Sequence, residues 1–82
     1  MVALIALQAG EQGVVTTLNT QDETIVNKLF AMGISPGVTC LLEQRFPAFI
    51  VKVGRSRAAL DRDIAALIEV QPLPPLPKSL VP

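Results

Sequence analysis

The chain contains no histidine, no tryptophan and no tyrosine, and a single cysteine among its 82 residues. These absences close off most site chemistry. Without histidine there is no Ser-His or Cys-His pair for nucleophilic catalysis and no imidazole for zinc, and one thiol cannot form a disulfide within the chain. No phosphate-cradling glycine loop and no acid/base pair can be assembled from the remaining residues, so a non-enzyme with no cofactor and no metal site is expected. Aromatics amount to three Phe, too few for a surface on which bases stack. An excess of one charge is also missing: seven Lys and Arg balance seven Asp and Glu. That balance argues against a chain built to neutralise a phosphate backbone.

Long hydrophobic runs are absent too. The opening MVALIALQAG is apolar, but no basic residue precedes it and it is far shorter than a bilayer requires. Neither an export signal nor a membrane span is expected, and the lone cysteine is compatible with a reducing compartment.

What is present is apolar bulk. Half of the residues are hydrophobic, in a chain with room for one small domain that buries only about 60% of its unfolded surface. Some of that bulk must stay outside, so a partner or a second copy of the chain is expected to meet it.

Ile25, Leu29 and Met32 recur at helical spacing, with Val26 and Phe30 alongside. Thr20 and Glu23 stand in capping-box register ahead of them. Gly33 is placed to close the helix in the left-handed region, with Ile34 folding back, and Ser35-Pro36-Gly37-Val38 has the centre of a type II turn. Downstream, strands are expected over Val38 to Phe46, Phe49 to Val53 and Ser56 to Leu60, with Pro47-Ala48 and Gly54-Arg55 as turns. Around Gly54-Arg55, Val53 faces Ser56, Val51 faces Ala58 and Phe49 faces Leu60, leaving Lys52 and Arg57 outside. Around Pro47-Ala48, the same logic sets Phe46 against Phe49, Gln44 against Val51 and Leu42 against Val53. Gln44 is then a polar misfit on the inner face, where a bend or bulge is expected. Glu43, Lys52 and Arg57 form an outer row with Arg45 next along, read first as a solvated ion row.

Gly13 to Leu18 reads as a strand before the helix. After the meander, Asp61 caps one helical turn and Leu67 to Val70 returns as a strand. The fold class is mainly β: a small, partly open SH3-like barrel of about five strands with one α-helix inserted after the first. The domain is expected to span residues 1–70. Residues 71–82, QPLPPLPKSLVP, read as a proline-rich extended tail that no sheet interior could take. As a polyproline ligand the tail lacks a well-placed basic flank, so a solvated tail is the preferred reading.

KLFAMGISPGV (Lys28 to Val38), Gly10 with Gly13, and VGRSRAALDRDIAALIEV (Val53 to Val70) together resemble the FeoA family of bacterial ferrous iron uptake, over roughly residues 4 to 70. The resemblance implies an SH3-like barrel that works with FeoB, the membrane iron transporter carrying a cytosolic G domain. It implies a non-catalytic cytoplasmic accessory, peripheral to the inner membrane through its partner, that docks on the transporter and modulates transport. Transition metal ion binding is a further property the resemblance implies. The same fold occurs as the C-terminal module of metal-dependent repressors, but no helix-turn-helix precedes it here, so a free-standing protein is implied. Two features depart from the family pattern: the short, glycine-free turn Arg45 to Phe49, and the tail.

No iron ligand set emerges from the residues. Cys40 alternates with Val38 and Leu42 and so points into the core, and Asp61 with Asp63 is explained by helix capping. Docking is assigned instead to apolar residues with charged neighbours: Val26 and Phe30 on the helix, and Ile50 beside Arg45 and Arg57 on the outer sheet face. The alternative is a small-barrel nucleic-acid-binding or regulatory module, suggested by the local basic cluster Arg45, Lys52, Arg55, Arg57 and Arg62 and opposed by the zero net charge; no nucleic acid is expected as partner.

Overall fold

The computed structural model describes residues 1–74; most of the expected tail, residues 75–82, lies outside them. Six strands form one antiparallel sheet in the order β1-β6-β2-β3-β4-β5. They are β1 (Val2–Ala3), β2 (Gln12–Leu18), β3 (Thr39–Gln44), β4 (Phe49–Val53), β5 (Ser56–Leu60) and β6 (Ile68–Pro72). Helix α1 (Glu23–Ala31) joins β2 to β3, and the single turn α2 (Arg62–Ala65) joins β5 to β6.

The α1 region behaves largely as its residues dictate. Leu29 is fully buried, and Ile25 and Met32 pack against the core from the same stripe. The cap differs from the expected one: Asp22, not Thr20, is the N-cap, its Oδ1 accepting from Thr24 N at 2.9 Å and Ile25 N at 3.4 Å. Thr20 sits two residues earlier, its hydroxyl accepting from Asp22 N. A carboxylate at the positive helix end is the stronger acceptor, so the helix begins at the aspartate. At the other end Gly33 has φ +86°, Gly33 N donates to Phe30 O and Ile34 N donates to Leu29 O, a Schellman closure that tucks Ile34 into the core. Gly37 follows at φ +95° with Val38 N bonded to Ser35 O, the type II turn that starts β3.

The β4–β5 register is the one expected, pair for pair, from Phe49↔Leu60 to Val53↔Ser56. The β3–β4 register is not. Leu42 lies opposite Val51 and Gln44 opposite Ile50, with a shift between them that leaves Glu43 as an extra residue. The expected bulge is therefore there, but it slides the register and lengthens the connection between β3 and β4 beyond Pro47-Ala48.

Two further corrections concern the ends. The N-terminal segment adds a strand that sequence periodicity does not give: Val2 and Ala3 pair with Val70 and Glu69, and the following 3₁₀ turn, Leu4–Ala6, buries Leu4 completely, with Leu7 close behind. Six strands thus replace about five. At the other end β6 continues through Gln71 and Pro72, so the boundary expected at residue 70 falls inside a strand. The sheet accepts Pro72 because the pairing with β1 reaches no further along β6 than Val70, and a missing N–H on that side leaves no ladder bond unmade. Leu73 N resumes the pattern by donating to Gln12 O.

The core is Leu4, Val15, Leu29, Ile34, Cys40, Leu42, Val51, Ile68 and Val70, each at most 2% exposed. Each such aliphatic contributes about 1.5–3 kcal/mol by leaving water. No polar residue among those described is buried with them.

Candidate docking surface

The residues expected to dock separate into two groups and one outlier. Val26 and Phe30 lie one turn apart on α1; Val26 is half-buried, while Phe30 keeps 51% of its surface in water although its neighbour Leu29 is sealed. A phenyl ring left open beside a packed stripe is a feature that docking can use. Ile50 and Arg57 occupy the outer face of β4 and β5, opposite the inward pair Val51 and Ala58.

Arg57 is held in place. Its Nε lies 2.6 Å from Glu43 Oε1 and its Nη2 3.3 Å from Glu43 Oε2, a two-point contact that crosses over β4. Glu43 strengthens the guanidinium's hold on its proton by hydrogen bonding and charge. Lys52, though in the same row, forms no ion pair among the described residues.

Arg45 is the outlier, and its place is a correction. It was expected beside Arg57 on the outer face, but the extra residue at Glu43 reverses the alternation beyond it. Arg45 therefore turns back over the ring of buried Phe49, its guanidinium carbon 6.0 Å from the ring centre, and Nη2 donates to Ile5 O at 2.9 Å. Its Nε is buried without a hydrogen-bond partner. The side chain ties the β3–β4 loop to the N-terminal segment.

The same reversal moves Phe46. Expected inside against Phe49, it is 85% exposed, the most open large apolar side chain among the described residues. Sequence reasoning missed it as a surface residue, although the signal was at hand. A bulge anticipated at Gln44 implies that Arg45 and Phe46 exchange sides.

Cys40 is 2% exposed, and burial pushes its thiol pKa up against a weaker pull from a backbone hydrogen bond to Gly13. A surface depression of ≈ 260 Å³ beside it is lined by Gln12, Thr39, Leu41, Lys52 and Gly54 and gathers no paired acid and base. Asp61 Oδ1 accepts from Ile64 N at 2.8 Å, which makes it the cap of α2. Among the described residues no three His, Cys, Asp or Glu side chains converge as metal ligands, and no helix is long and apolar enough to cross a membrane.

Comparison with known proteins gives the family and the fold. The FeoA domain family matches residues 2–72. A putative Fe(2+) transport protein A of Leptolyngbya boryana is 33% identical over 70 residues, covering 84% of this chain and 85% of that protein. Among solved structures, a crystal structure of the iron uptake regulatory protein FeoA superposes with a TM-score of 0.80 at 28% identity, over 88% of this chain and 96% of the other. A manganese-dependent transcriptional repressor superposes with a TM-score of 0.79 at 23% identity, over 87% of this chain and 41% of its own; at that identity the likeness shows the fold alone. The crystal structure of Stenotrophomonas maltophilia FeoA, described as an SH3 domain protein, superposes with a TM-score of 0.75 at 22% identity, over 87% of this chain and 91% of the other, so the mainly β, SH3-like architecture expected from the sequence is the fold observed.

Proposed function

Since the chain belongs to the FeoA family, we propose that it is a non-catalytic accessory of ferrous iron transport that docks on the cytosolic part of a FeoB-like transporter and modulates transport. The observation that carries this reading is the family match across nearly the whole described chain, residues 2–72. The physical argument runs alongside it. Among the described residues the buried core is made of hydrophobic residues, while Phe30, Ile50 and Arg57 lie outside it, and surface complementarity is the means of action this reading uses.

The docking surface in this reading has Phe30 and Val26 on α1 as one apolar contact and Ile50 with Arg57 on the outer sheet face as the other. Exposed aromatics with charged neighbours are the usual anchors of such contacts. Arg45 contributes from within, by fixing the loop that presents Phe46. The protein sits in the cytoplasm and reaches the membrane through its partner.

A regulatory or nucleic-acid-binding role draws on the repressor-like fold, and a shared fold does not carry activity with it. Binding to a generic oligonucleotide that weakens steeply with salt would favour that role.

The test is capture of the transporter's cytosolic region by the purified chain, with and without guanine nucleotide. Retention of that region supports the docking role. Failure to retain it in either nucleotide state, at concentrations where the chain is folded, overturns it.

A further inference from the structure

Strand β5 is an edge of the sheet and pairs only with β4. The two-residue turn Gly54-Arg55, with Gly54 at φ +60°, closes this hairpin on the pair Val53↔Ser56. In a hairpin with so short a turn the closing pair is hydrogen-bonded, and bonded pairs then alternate. Ser56, Ala58 and Leu60 therefore aim their N–H and C=O groups at β4. Arg57 and Ala59 aim theirs outward, and no described backbone hydrogen bond from another element reaches them.

Natural edges are usually blunted by proline, a bulge, an inward charge or extreme shortness. The opposite edge, β1, has two residues. β5 has five, pairs without a bulge, and contains no proline, with small exposed Ala59 at its open side. Its one guard is Arg57.

An added antiparallel strand must keep core face with core face, so a second copy of β5 can pair only about Arg57, Ala58 or Ala59. Centring on Arg57 sets arginine against arginine. Centring on Ala58 sets Arg57 against Ala59. Centring on Ala59 sets Arg57 against Asp61 of the second copy, twice, and Asp61 is still extended at φ −74°, ψ 166°. Opposite charges directly across a strand pair attract and like charges repel, so charge selects the third register.

We propose that β5 is a self-pairing edge, joining two copies of the chain about Ala59 with reciprocal Arg57–Asp61 ion pairs. The groups needed are available. Asp61 uses Oδ1 to cap α2, leaving Oδ2, and Arg57 gives Nε and Nη2 to Glu43, leaving Nη1. The Asp61 carbonyl already accepts from Ala65 N, so the new main-chain bonds are those between the two Ala59 residues and from each Asp61 N–H to Arg57 O. A contact of this extent is far smaller than a standard stable interface, so the dimer forms in a concentration-dependent way. A strand from a different protein would gain the main-chain bonds but not the reciprocal charges. The proposal shares Arg57 with the docking face described above but is argued from the edge geometry of β5 alone, so either reading can fail without the other.

Sedimentation equilibrium and amide NMR of the full chain over a concentration series test it. The average mass should climb toward that of a dimer, with shift changes confined to Arg57 through Asp61 and weakened by salt. Ala59→Pro removes an outward N–H without touching the ladder to β4 and should abolish association. Should that variant misfold, Asp61→Asn keeps an N-cap of equal quality, loses the charge, and should weaken association severalfold. A chain that stays monomeric to its solubility limit overturns the proposal. So do association unchanged in both variants, shifts on another face, and β5 shifts that appear only when a different protein is added.

Discussion

Gly13 of β2 and Val70 of β6 lie so close that a Cβ added to the glycine would stand 3.0 Å from both Cβ and Cγ2 of the valine, and 3.3 Å from Gln71 O. The contact is sealed: Gly13 is buried and Val70 is fully inaccessible. β6 sits between β1 and β2, so any displacement of Val70 is felt on both sides.

Gly13→Ala should therefore destabilise the fold by about 1–3 kcal/mol, the usual cost of forcing a methyl group into a filled core. Urea unfolding reads this as a lower midpoint with an unchanged slope. A midpoint equal to that of the parent would mean that β2 and β6 can part without cost.

Gly33 offers a contrast, because a Cβ there would meet only Val53 Cγ1, at an ordinary 3.6 Å. The constraint is its φ of +86° at the end of α1. Gly33→Ala should cost roughly 1–2 kcal/mol through the backbone alone. In urea unfolding the loss should persist in a Val53→Ala background, which relieves any crowding.

The start of α1 separates two candidate caps. Asp22→Ala should cost about 1 kcal/mol and lower helicity by circular dichroism, whereas Thr20→Ala should cost less, since its hydroxyl bonds only Asp22 N. The reverse order would restore Thr20 as the cap.

Cys40 gives a pH signature. Burial raises its thiol pKa in the folded state, so folding favours the protonated form. Its contribution is complete below the unfolded-state pKa and is lost as pH rises through the thiol range toward the raised folded value. Stability in alkaline buffer should fall more for the parent chain than for Cys40→Ala, and at neutral pH a thiol reagent should label the parent only as fast as it unfolds.

The sequence was most legible where a pattern was local. The Ile25-Leu29-Met32 stripe, the Gly33 closure, the Pro36-Gly37 turn and the whole β4–β5 register follow from neighbours a few residues apart. What escaped depends on distance or on counting. Val2 and Ala3 form a strand only because Val70 and Glu69 lie beside them, a pairing that spans the chain and that two residues cannot announce. Gln44 signalled a bulge, yet the bulge's consequence, one residue of slip that turns Arg45 inward and Phe46 outward, was not carried along the strand. The exposed apolar surface was legible on α1, where helical spacing leaves Phe30 off the packed stripe. It was less legible on the sheet, where one inserted residue changes which side chains water can reach.

The most direct measurement of the central claim is an NMR titration of the isotope-labelled chain with the cytosolic region of a FeoB-like transporter. The account predicts saturable shifts centred on Val26 and Phe30 and on the Ile50–Arg57 face, reduced by Phe30→Ala in a chain that remains folded. Spectra unchanged at saturating partner, with and without guanine nucleotide, would contradict it.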